Sequence, residues 1–365
     1  MQTHHPSPAS RTRVFIIAEA GVNHNADLQQ ALRLVEAAAA AGADAVKFQT
    51  FKTAELVSQA APKAEYQRLT TDEAESQFEM IRKLELDWPA HYLLRARCRE
   101  VGIQFLSAPF DLTSLNFLVT DLQLNPIKIP SGEITNGPLL WRAAASGCRL
   151  ILSTGMASLG EVEQALAVLA CGYRGQPPSL AAFAEAYHST EGQRLLRERV
   201  VLLHCTSEYP APFDSINLRA MDTLASAFGL PVGLSDHSSG IVMPIAAVAR
   251  GAVLIEKHFT LDRSLPGPDH AASLEPTELA EMVRAIRAVE VALGDGRKIP
   301  AQVELKNRDV VRKRLVTLTE VAAGECFSEA NLGARRPGNG ISPMAYWQWV
   351  GRRAERAYAA DEPVG

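Results

Sequence analysis

Three ionisable side chains end an apolar run in the last third of the chain. The run "AVLIEKHF" places Glu-Lys-His at residues 256–258, and the stiff sequence "PGPDH" follows at residues 266–270. A strand that only packs a core gains nothing from three ionisable side chains, because buried charges persist where they are paired or functional. The pattern therefore predicts an active site at the end of this strand, with Asp269 presented by a turn that has little conformational entropy to lose.

A second histidine ends the preceding apolar run. "GLSDH" ends at His237, and His258 ends the run that follows it. In neighbouring parallel strands, two neutral imidazoles could share one divalent ion and leave positions open for water and substrate. Two histidines without a HExxH-type spacing are weak evidence for a metal, so one core histidine with one general acid is the competing interpretation.

Lysine, serine and glutamate side chains stand at the ends of other runs. Lys47 and Lys128 lie among several serines, and cationic groups with hydroxyls favour a phosphorylated or carboxylated substrate. A Schiff base formed by one of these lysines is the alternative. Glu19 and Glu133 are the carboxylates available for proton transfer or for holding sugar hydroxyls, and either could instead pair with a lysine. The serines of this group are Ser131, Ser153 and Ser235.

Eight short runs must position these residues. Each run is almost continuously apolar at its start, as in parallel strands buried on both faces, and amphipathic segments separate the runs. Eight strand–helix units over roughly 280 residues predict an α/β fold, a (β/α)₈ TIM barrel, whose chemistry lies at the carboxyl ends of the strands. A doubly wound open sheet is the alternative, but "AEAGVNHN" lacks the GxGxxG turn. The predicted strands span 13–20, 44–50, 103–109, 126–131, 149–155, 199–206, 231–237 and 252–259. Their polar ends are Glu19, Lys47, Gln49, Ser107, Lys128, Ser131, Ser153, Thr154, His204, Thr206, Ser235, Asp236, His237, Lys257 and His258.

A polar, turn-rich segment divides the chain into two domains. The barrel is predicted over residues 13–293, a linker over 294–312 and a small C-terminal domain over 313–365. A domain of that size is marginal alone, so it is expected to lean on the barrel or on a second subunit. Residues 1–12 lack the apolar core of a signal peptide and are predicted to be a disordered lead-in.

Two connections are longer than usual loops. Residues 51–102 begin with a polar stretch that predicts a lid segment before a helix. Residues 171–198 predict a surface insertion.

The composition is that of an ordinary globular protein. A net charge of -4 and a pI near 6.2 give no electrostatic reason to expect nucleic acid or a membrane as partner. No apolar run reaches transmembrane length. The 5 cysteines are scattered and lack CxxC pairing, so free thiols in a reducing compartment, the cytoplasm, are expected.

Nine ordered motifs resemble the N-acetylneuraminate (sialic acid) synthase family, which includes the legionaminic and pseudaminic acid synthases. The resemblance extends from about residue 13 to residue 360. It implies a TIM barrel followed by an antifreeze-like (SAF) domain, and condensation of phosphoenolpyruvate with an N-acetylated hexosamine to give a nine-carbon 2-keto acid and phosphate. It also implies a divalent metal, Mn²⁺ before Mg²⁺ or Co²⁺, and a domain-swapped homodimer. The motifs are "IIAEAGVNHN", "VKFQTFK", "KIPSGEITN", "LSTGM", "LLHCTSEYPAP", "GLSDH", "EKHFT", "PGPDH" and "RPGNGISP".

The family's motifs imply a role for each matching residue. His237 and His258 would bind the metal, Glu133 and Glu19 would serve catalysis, and Arg336 would enter the partner subunit's site. The implied phosphoenolpyruvate contacts are Lys47, Lys128, Ser131, Ser153, Ser207 and Ser235. The implied sugar contacts are Glu19, Gln49, Tyr209, Asp269 and Arg336.

Two positions depart from the family's pattern. Ala108 stands where the family often has threonine in S-T-P-F, so one hydroxyl contact to the phosphate would be missing. Ser207 stands where some members have asparagine, and this shorter donor would need a bridging water.

The expected activity is that of an N-acetylneuraminate synthase acting on N-acetylmannosamine. The alternative is an N,N'-diacetyllegionaminate synthase, which takes 2,4-diacetamido-2,4,6-trideoxymannose. A Schiff-base aldolase and a non-catalytic carbohydrate-binding protein are the other classes considered. Release of phosphate from phosphoenolpyruvate separates the synthase from both.

Overall fold

The computed structural model describes residues 13–63, 71 and 75–365. These residues form two compact units, which divide between Gly294 and Asp295. The predicted lead-in and parts of the predicted lid segment lie outside the described residues.

Eight parallel strands form a nearly closed barrel in the first unit. The strands are β1 (Phe15–Gly21), β2 (Ala45–Thr50), β3 (Gln104–Pro109), β4 (Ile127–Ile129), β5 (Leu150–Ser153), β6 (Val200–Cys205), β7 (Val232–Asp236) and β8 (Leu254–His258). Their order is β3-β2-β1-β8-β7-β6-β5-β4. Because β1 pairs with β8, the first and last strands are neighbours, as the predicted TIM barrel requires. The predicted fold class is therefore confirmed.

Helices follow the strands and cover the outside of the barrel. The described helices of the first unit are α1 (Leu28–Ala40), α2 (Thr53–Leu56), α3 (Gln77–Arg82), α4 (Trp88–Val101), α5 (Leu112–Asn116), α6 (Gly137–Ala145), α7 (Leu159–Tyr173), α8 (Leu180–His188), α9 (Thr190–Arg199), α10 (Ala220–Phe228), α11 (Val242–Ala249) and α12 (Pro276–Ala292). The predicted insertion contains α8 and most of α9, which bury Ala186, Leu195 and Leu196. In the ranges that the structure describes, no helix combines the length and the apolar character needed to cross a membrane.

The second unit has its own small core. Two antiparallel strands, β9 (Arg314–Thr317) and β10 (Leu332–Arg335), pair within it. Helix α13 (Gln302–Val311) occupies residues predicted as a linker, and α14 (Tyr346–Trp349) follows β10. The assignment of this unit as an antifreeze-like domain stays a prediction. Its core residues are Leu315, Val321, Phe327, Leu332, Ala354, Tyr358 and Val364.

An apolar layer closes the interior of the barrel below the strand ends. Side chains alternate between the two faces of a strand, so residues two positions further along point the same way. Two positions beyond five members of this layer lie Glu19, Lys47, Ser153, Cys205 and Glu256. The barrel thus has an apolar floor with a polar layer directly above it. The floor consists of Ile17, Ala45, Leu106, Ile151, Leu203 and Leu254.

His24 gives the fold a dependence on pH. It is fully buried after β1, and burial lowers its pKa to about 3. The unfolded chain has a histidine pKa of about 6.5, so below that pH only the unfolded state takes up the proton, and stability is lost as the pH falls towards 3. We expect His24→Asn to reduce the loss of unfolding free energy between pH 7 and pH 5 by about 2 kcal/mol. Urea unfolding at the two pH values measures this difference.

His188 provides the control for this prediction. It is exposed at the end of α8, so the unfolding free energy of His188→Asn should depend on pH in the same way as that of the wild type. An equal loss of unfolding free energy in His24→Asn and the wild type would contradict the prediction.

Candidate active site

A cavity of about 570 Å³ opens at the carboxyl ends of the barrel strands. All of the predicted site residues in the first unit line it, although they come from seven different strands and the loops that follow them. Arg336 lies in the second unit, exposed just after β10. The predicted residues lining the cavity are Glu19, Lys47, Gln49, Lys128, Ser131, Glu133, Ser153, Ser207, Tyr209, Ser235, His237, His258 and Asp269.

Two lysines and two glutamates form a buried charged cluster at the bottom of this cavity. The Lys47 ammonium lies 2.7 Å from Oε2 of Glu19 and 3.8 Å from Oε2 of Glu256. The Lys128 ammonium lies 3.4 Å from Oε1 of Glu256, and Ser235 donates a hydrogen bond of 2.8 Å to the same oxygen. The cluster therefore holds its cations in place before any anion binds.

The two carboxylates of this cluster have very different pKa values. Burial raises the pKa of Glu19 to about 7, although the adjacent Lys47 ammonium opposes this shift. Burial has the same tendency at Glu256, but the ammonium groups of Lys128 and Lys47 outweigh it and lower the pKa of Glu256 to about 2. Carboxyl groups whose environments separate their pKa values suit different roles. Glu19 can carry a proton near neutral pH, whereas Glu256 remains a fixed negative charge.

The two lysines also differ. Burial disfavours the charge of Lys47, but Glu19 and Glu256 outweigh burial and raise the pKa of Lys47. At Lys128 burial dominates and lowers the pKa, although Glu256 opposes it. A bound anion would supply the additional negative charge that stabilises the Lys128 ammonium.

His237 and His258 lie side by side at the ends of β7 and β8. Their ring centroids are 5.4 Å apart, and the ring of Tyr209 lies 4.2 Å from His237. Nδ1 of His237 lies 2.7 Å from the carbonyl oxygen of Thr206, to which it donates, so Nε2 is free to bind a ligand. Burial disfavours the charged ring of His237, but the Cys205 thiol at 3.7 Å and the Thr206 carbonyl raise its pKa overall.

The ring of His258 has a less polar environment than the ring of His237. Its Nδ1 is buried, has no hydrogen-bond partner among the residues that the structure describes, and lies 3.8 Å from Oδ2 of Asp269. Burial lowers the pKa of His258 well below its usual range, so the ring is neutral. A neutral buried imidazole with an unused nitrogen has the chemistry of a metal ligand.

The donor set around these rings fits an ion that keeps open positions. Metal–nitrogen distances of about 2.1 Å place the centroids of two ligating imidazoles about 5 Å apart, close to the observed separation. Within the described ranges no group of three or more His, Cys, Asp or Glu side chains is arranged to hold a metal. Water and substrate oxygens would therefore complete the coordination.

The turn before Asp269 is fixed by the loop after β1. Asn25 donates a hydrogen bond of 2.9 Å to the carbonyl of Pro266, and Ser273 donates one of 2.7 Å to the carbonyl of Asp269. Gly267 has φ +148°, and a Cβ there would lie 2.8 Å from the ring of His270. The turn thus requires glycine at this position and presents Asp269 to the cavity, where burial raises its pKa to about 6.

Further hydroxyl and carboxyl groups come from the ends of β4 and β5. Residues 131–133 form a single 3₁₀ turn, in which Ser131 accepts a hydrogen bond of 3.0 Å from the N–H of Gly155. The hydroxyl of Ser153 is buried and has no hydrogen-bond partner in the described part of the chain, so it is available to a ligand. Glu133 accepts a hydrogen bond of 2.6 Å from Asn136, and burial raises the pKa of Glu133.

The prediction that all eight polar strand ends converge on one site is wrong for several side chains. Ser107 bonds to Thr50 at 2.6 Å and to the carbonyl of Phe48 at 3.0 Å, on the side of the strands that faces the helices. His204 bonds to the carbonyl of Ile216 at 2.6 Å and does not line the cavity. These residues fix helices and loops to the barrel. Asp236 and Lys257 also lie outside the cavity lining.

Glu256 and Cys205 line the cavity beside the predicted residues but were not themselves predicted as site residues. Glu256 is central to the charged cluster, and Cys205 lies 3.6 Å from the hydroxyl of Ser131. The strand periodicity was the available signal, because Glu256 lies two positions before His258 and must share its face.

One part of the cavity is apolar. We call it the apolar wall; its residues follow the ends of β1, β2 and β3, and they pack against one another as well as lining the cavity. Phe51 and Phe110 meet edge to face with centroids 6.3 Å apart. The apolar wall consists of Val22, Phe51, Leu56, Ile81, Leu84 and Phe110.

A parallel barrel with buried lysines and paired histidines at the carboxyl ends of its strands has the architecture of a barrel enzyme, which places its chemistry at that end. Residues 34–298 match the NeuB family, and the chain belongs to that family of nonulosonic acid synthases, which are transferases.

Named relatives agree with this assignment. The chain is 49% identical to N,N'-diacetyllegionaminic acid synthase of Campylobacter jejuni serotype O:2, over 96% of this chain and 99% of that one. It is 47% identical to N,N'-diacetyllegionaminic acid synthase of Legionella pneumophila, over 93% and 90% of the two chains. The N-acetylneuraminic acid synthetase of Leptospira borgpetersenii, solved with citrate, has a TM-score of 0.66 and 36% identity, covering 82% of this chain and 93% of that one.

Proposed function

We propose that this enzyme condenses phosphoenolpyruvate with 2,4-diacetamido-2,4,6-trideoxymannose, giving N,N'-diacetyllegionaminate and phosphate. The observation that carries the proposal is a single cavity with a buried cationic end and an apolar wall. The cationic end is the part of the cavity lined by Lys47 and Lys128. It suits the phosphate and carboxylate of phosphoenolpyruvate. The apolar wall suits a sugar that has lost its C6 hydroxyl.

The choice of sugar follows from the cost of burying a hydroxyl without a partner. N-acetylmannosamine, the leading expectation from the sequence, carries hydroxyls at C4 and C6, whereas the trideoxy sugar carries an acetamido group and a methyl. A hydroxyl placed against the apolar wall would lose its hydrogen bonds to water without replacement. The likeness to two N,N'-diacetyllegionaminic acid synthases also favours the alternative over that leading expectation.

Phosphoenolpyruvate would bind at the cationic end of the cavity. The ammonium groups of Lys47 and Lys128 supply charge, and the unpartnered hydroxyl of Ser153 supplies a hydrogen-bond donor. Other donors there are Ser131, Ser207 and Ser235. A carboxylate or phosphate oxygen here would meet charge-assisted hydrogen bonds.

His237 and His258 would hold a divalent metal, with Mn²⁺ as the favoured ion and Mg²⁺ or Co²⁺ as alternatives. When bound, such an ion supplies Lewis-acid polarisation of the sugar carbonyl. The hydrogen bond to the Thr206 carbonyl orients His237, and the imidazole of His258, whose Nδ1 has no partner among the described residues, would supply the second nitrogen ligand.

The other residues would bind substrates and move protons. Carbon C3 of phosphoenolpyruvate forms the new bond to the aldehyde carbon, water adds at C2, and breakage of the C2–O bond releases phosphate. We assign Glu133 as the proton carrier, because it lines the cavity and burial raises its pKa. Glu19 and Asp269 would hold the sugar hydroxyls, with Gln49 and Tyr209 beside them.

A second subunit would complete the site. Arg336 is exposed in the second unit, and a domain-swapped homodimer would bring it to the partner's cavity. A guanidinium there would donate to an acetamido carbonyl of the sugar. The free thiols suit a cytoplasmic enzyme.

A phosphate-release assay with the two sugars tests the proposed substrate. We expect kcat/KM to be at least about tenfold higher for the trideoxy sugar than for N-acetylmannosamine, since one hydroxyl without a partner costs of that order. Activity should require Mn²⁺ after EDTA treatment. Equal or reversed preference would contradict the proposed sugar, and no phosphate release with either sugar would contradict the synthase itself.

A further inference from the structure

Two buried charged side chains lie directly behind the histidine pair. Asp236 is 2% exposed and Lys257 is 1% exposed. The Lys257 ammonium donates a hydrogen bond of 2.6 Å to Oδ2 of Asp236 and another to the carbonyl of Ser238. Neither Asp236 nor Lys257 lines the cavity, and the proposed reaction uses neither of them.

The register of β7 and β8 explains this arrangement. Asp236 lies opposite Lys257 in the ladder, and the next position on each strand is His237 or His258. Because side chains alternate along a strand, the histidines face the cavity while the charged pair one step earlier faces the helices. The ion pair is therefore the last cross-strand contact before the two imidazoles.

The pair holds the chain on both sides of His237. The Asp236 carboxylate accepts from the N–H of Ser238 at 3.1 Å and from its hydroxyl at 3.0 Å. Lys257 donates to the residue before His237 and to the residue after it. The carbonyl of His237 accepts from the N–H of Ala211 at 2.9 Å. The backbone that carries this ring is thus fixed from β8 and from the loop after β6.

A buried ion pair is a poor source of folding stability. Desolvation of the two charges offsets most of their attraction, and apolar side chains of similar volume often serve stability equally well. The Asp236–Lys257 pair is therefore better explained by the position it gives to the neighbouring backbone than by its contribution to folding stability.

We propose that Asp236 and Lys257 form a positioning brace that sets the separation of the His237 and His258 imidazoles. The brace fixes the end of β7 against the end of β8, so that both rings reach one ion. Asp236 and Lys257 are positioning residues, since they act through the histidines and contact no substrate. This inference rests on the proposed role of the histidines as metal ligands.

The test removes both charges together. Asp236→Asn with Lys257→Met keeps the side-chain volumes and an acceptor for Ser238. We expect a folded protein that binds Co²⁺ at least about tenfold more weakly by titration calorimetry, as is typical when groups that orient metal ligands are lost. The visible absorption spectrum of the Co²⁺ protein should change. The kcat should fall, while KM for phosphoenolpyruvate stays within about twofold, because the cationic end is untouched.

A second ion pair of the barrel supplies the control. Arg287 lies 2.7 Å from Asp44 and also donates to the carbonyl of Val14, just before β1 and so at the other end of the barrel from the histidines. Arg287→Met should therefore bind Co²⁺ as the wild type does. A folded double variant with unchanged Co²⁺ affinity and spectrum would overturn the brace.

Folding failure is also decisive. Asp236→Asn alone is the milder variant, and it should fold with weakened Co²⁺ binding. If neither variant folds while Arg287→Met does, the pair serves stability and the positioning role is overturned. If the wild type binds Co²⁺ no more tightly than His258→Ala, the metal proposal falls and takes the brace with it. That result is distinct from failure of the brace alone.

Discussion

His258→Ala should abolish metal-dependent turnover while leaving the barrel folded. The variant removes a neutral imidazole whose Nδ1 has no hydrogen-bond partner among the described residues, so no hydrogen bond from that nitrogen is lost. With one histidine left, the affinity for the ion and the polarisation of the sugar carbonyl should both collapse. We expect kcat/KM to fall by at least about a thousandfold, equivalent to about 4 kcal/mol of transition-state stabilisation. Phosphate release measured over a range of Mn²⁺ concentrations gives this value.

His188→Ala is the matched control for this variant. His188 is exposed at the end of α8, so the same chemical change should leave turnover and Mn²⁺ dependence at wild-type values. Circular dichroism and the thermal midpoint should show that His258→Ala is folded. Full activity in His258→Ala would remove the metal role from this residue.

The periodicity of the sequence was sufficient to predict the barrel. The runs at 44–50 and 199–206 correspond to Ala45–Thr50 and Val200–Cys205, because strands buried on both faces are apolar from their first residues. The strand predicted at 126–131 was too long, because β4 ends at Ile129 and a 3₁₀ turn begins at Ser131. A local turn of this kind leaves no mark on hydrophobic periodicity.

The candidate site was predicted well in position and less well in composition. Lys47, Lys128 and His258 could be placed on one rim because parallel strands end at the same side of a barrel. Which face each polar residue takes depends on the pleat, and an error of one position reverses the face. That is why Ser107 was counted among the polar strand ends although it does not line the cavity, and why Glu256, which does line it, was missed.

The apolar wall could not be predicted from the sequence, for a different reason. Val22, Phe51 and Leu84 come from segments far apart in the chain, and each alone has the pattern of a core residue. Only the fold shows that they meet on one side of a polar cavity. The choice between two sugars therefore required both the structure and the relatives.

Lys128→Met should raise KM for phosphoenolpyruvate by about a hundredfold. The Lys128 ammonium is buried and has Glu256 as its ion-pair partner at 3.4 Å, so an incoming phosphate or carboxylate would strengthen its charged state. A buried charge-assisted hydrogen bond contributes about 3 kcal/mol, which corresponds to a hundredfold change in affinity. The KM for the sugar should change much less. Initial rates of phosphate release at varied phosphoenolpyruvate concentration measure both constants.

The variant also separates the synthase from a Schiff-base aldolase. In Lys128→Met the Glu256 carboxylate loses one of its two lysine partners and keeps Lys47 at 3.8 Å. The double variant Lys128→Met, Glu256→Gln removes the carboxylate as well, so no buried negative charge is left without its partner. Lys298→Met, at an exposed lysine, should behave as the wild type. Borohydride treatment with pyruvate should leave the wild type unmodified. A covalent adduct that disappears in Lys128→Met would instead assign Schiff-base chemistry to this lysine, and an unchanged KM would remove Lys128 from the phosphoenolpyruvate site.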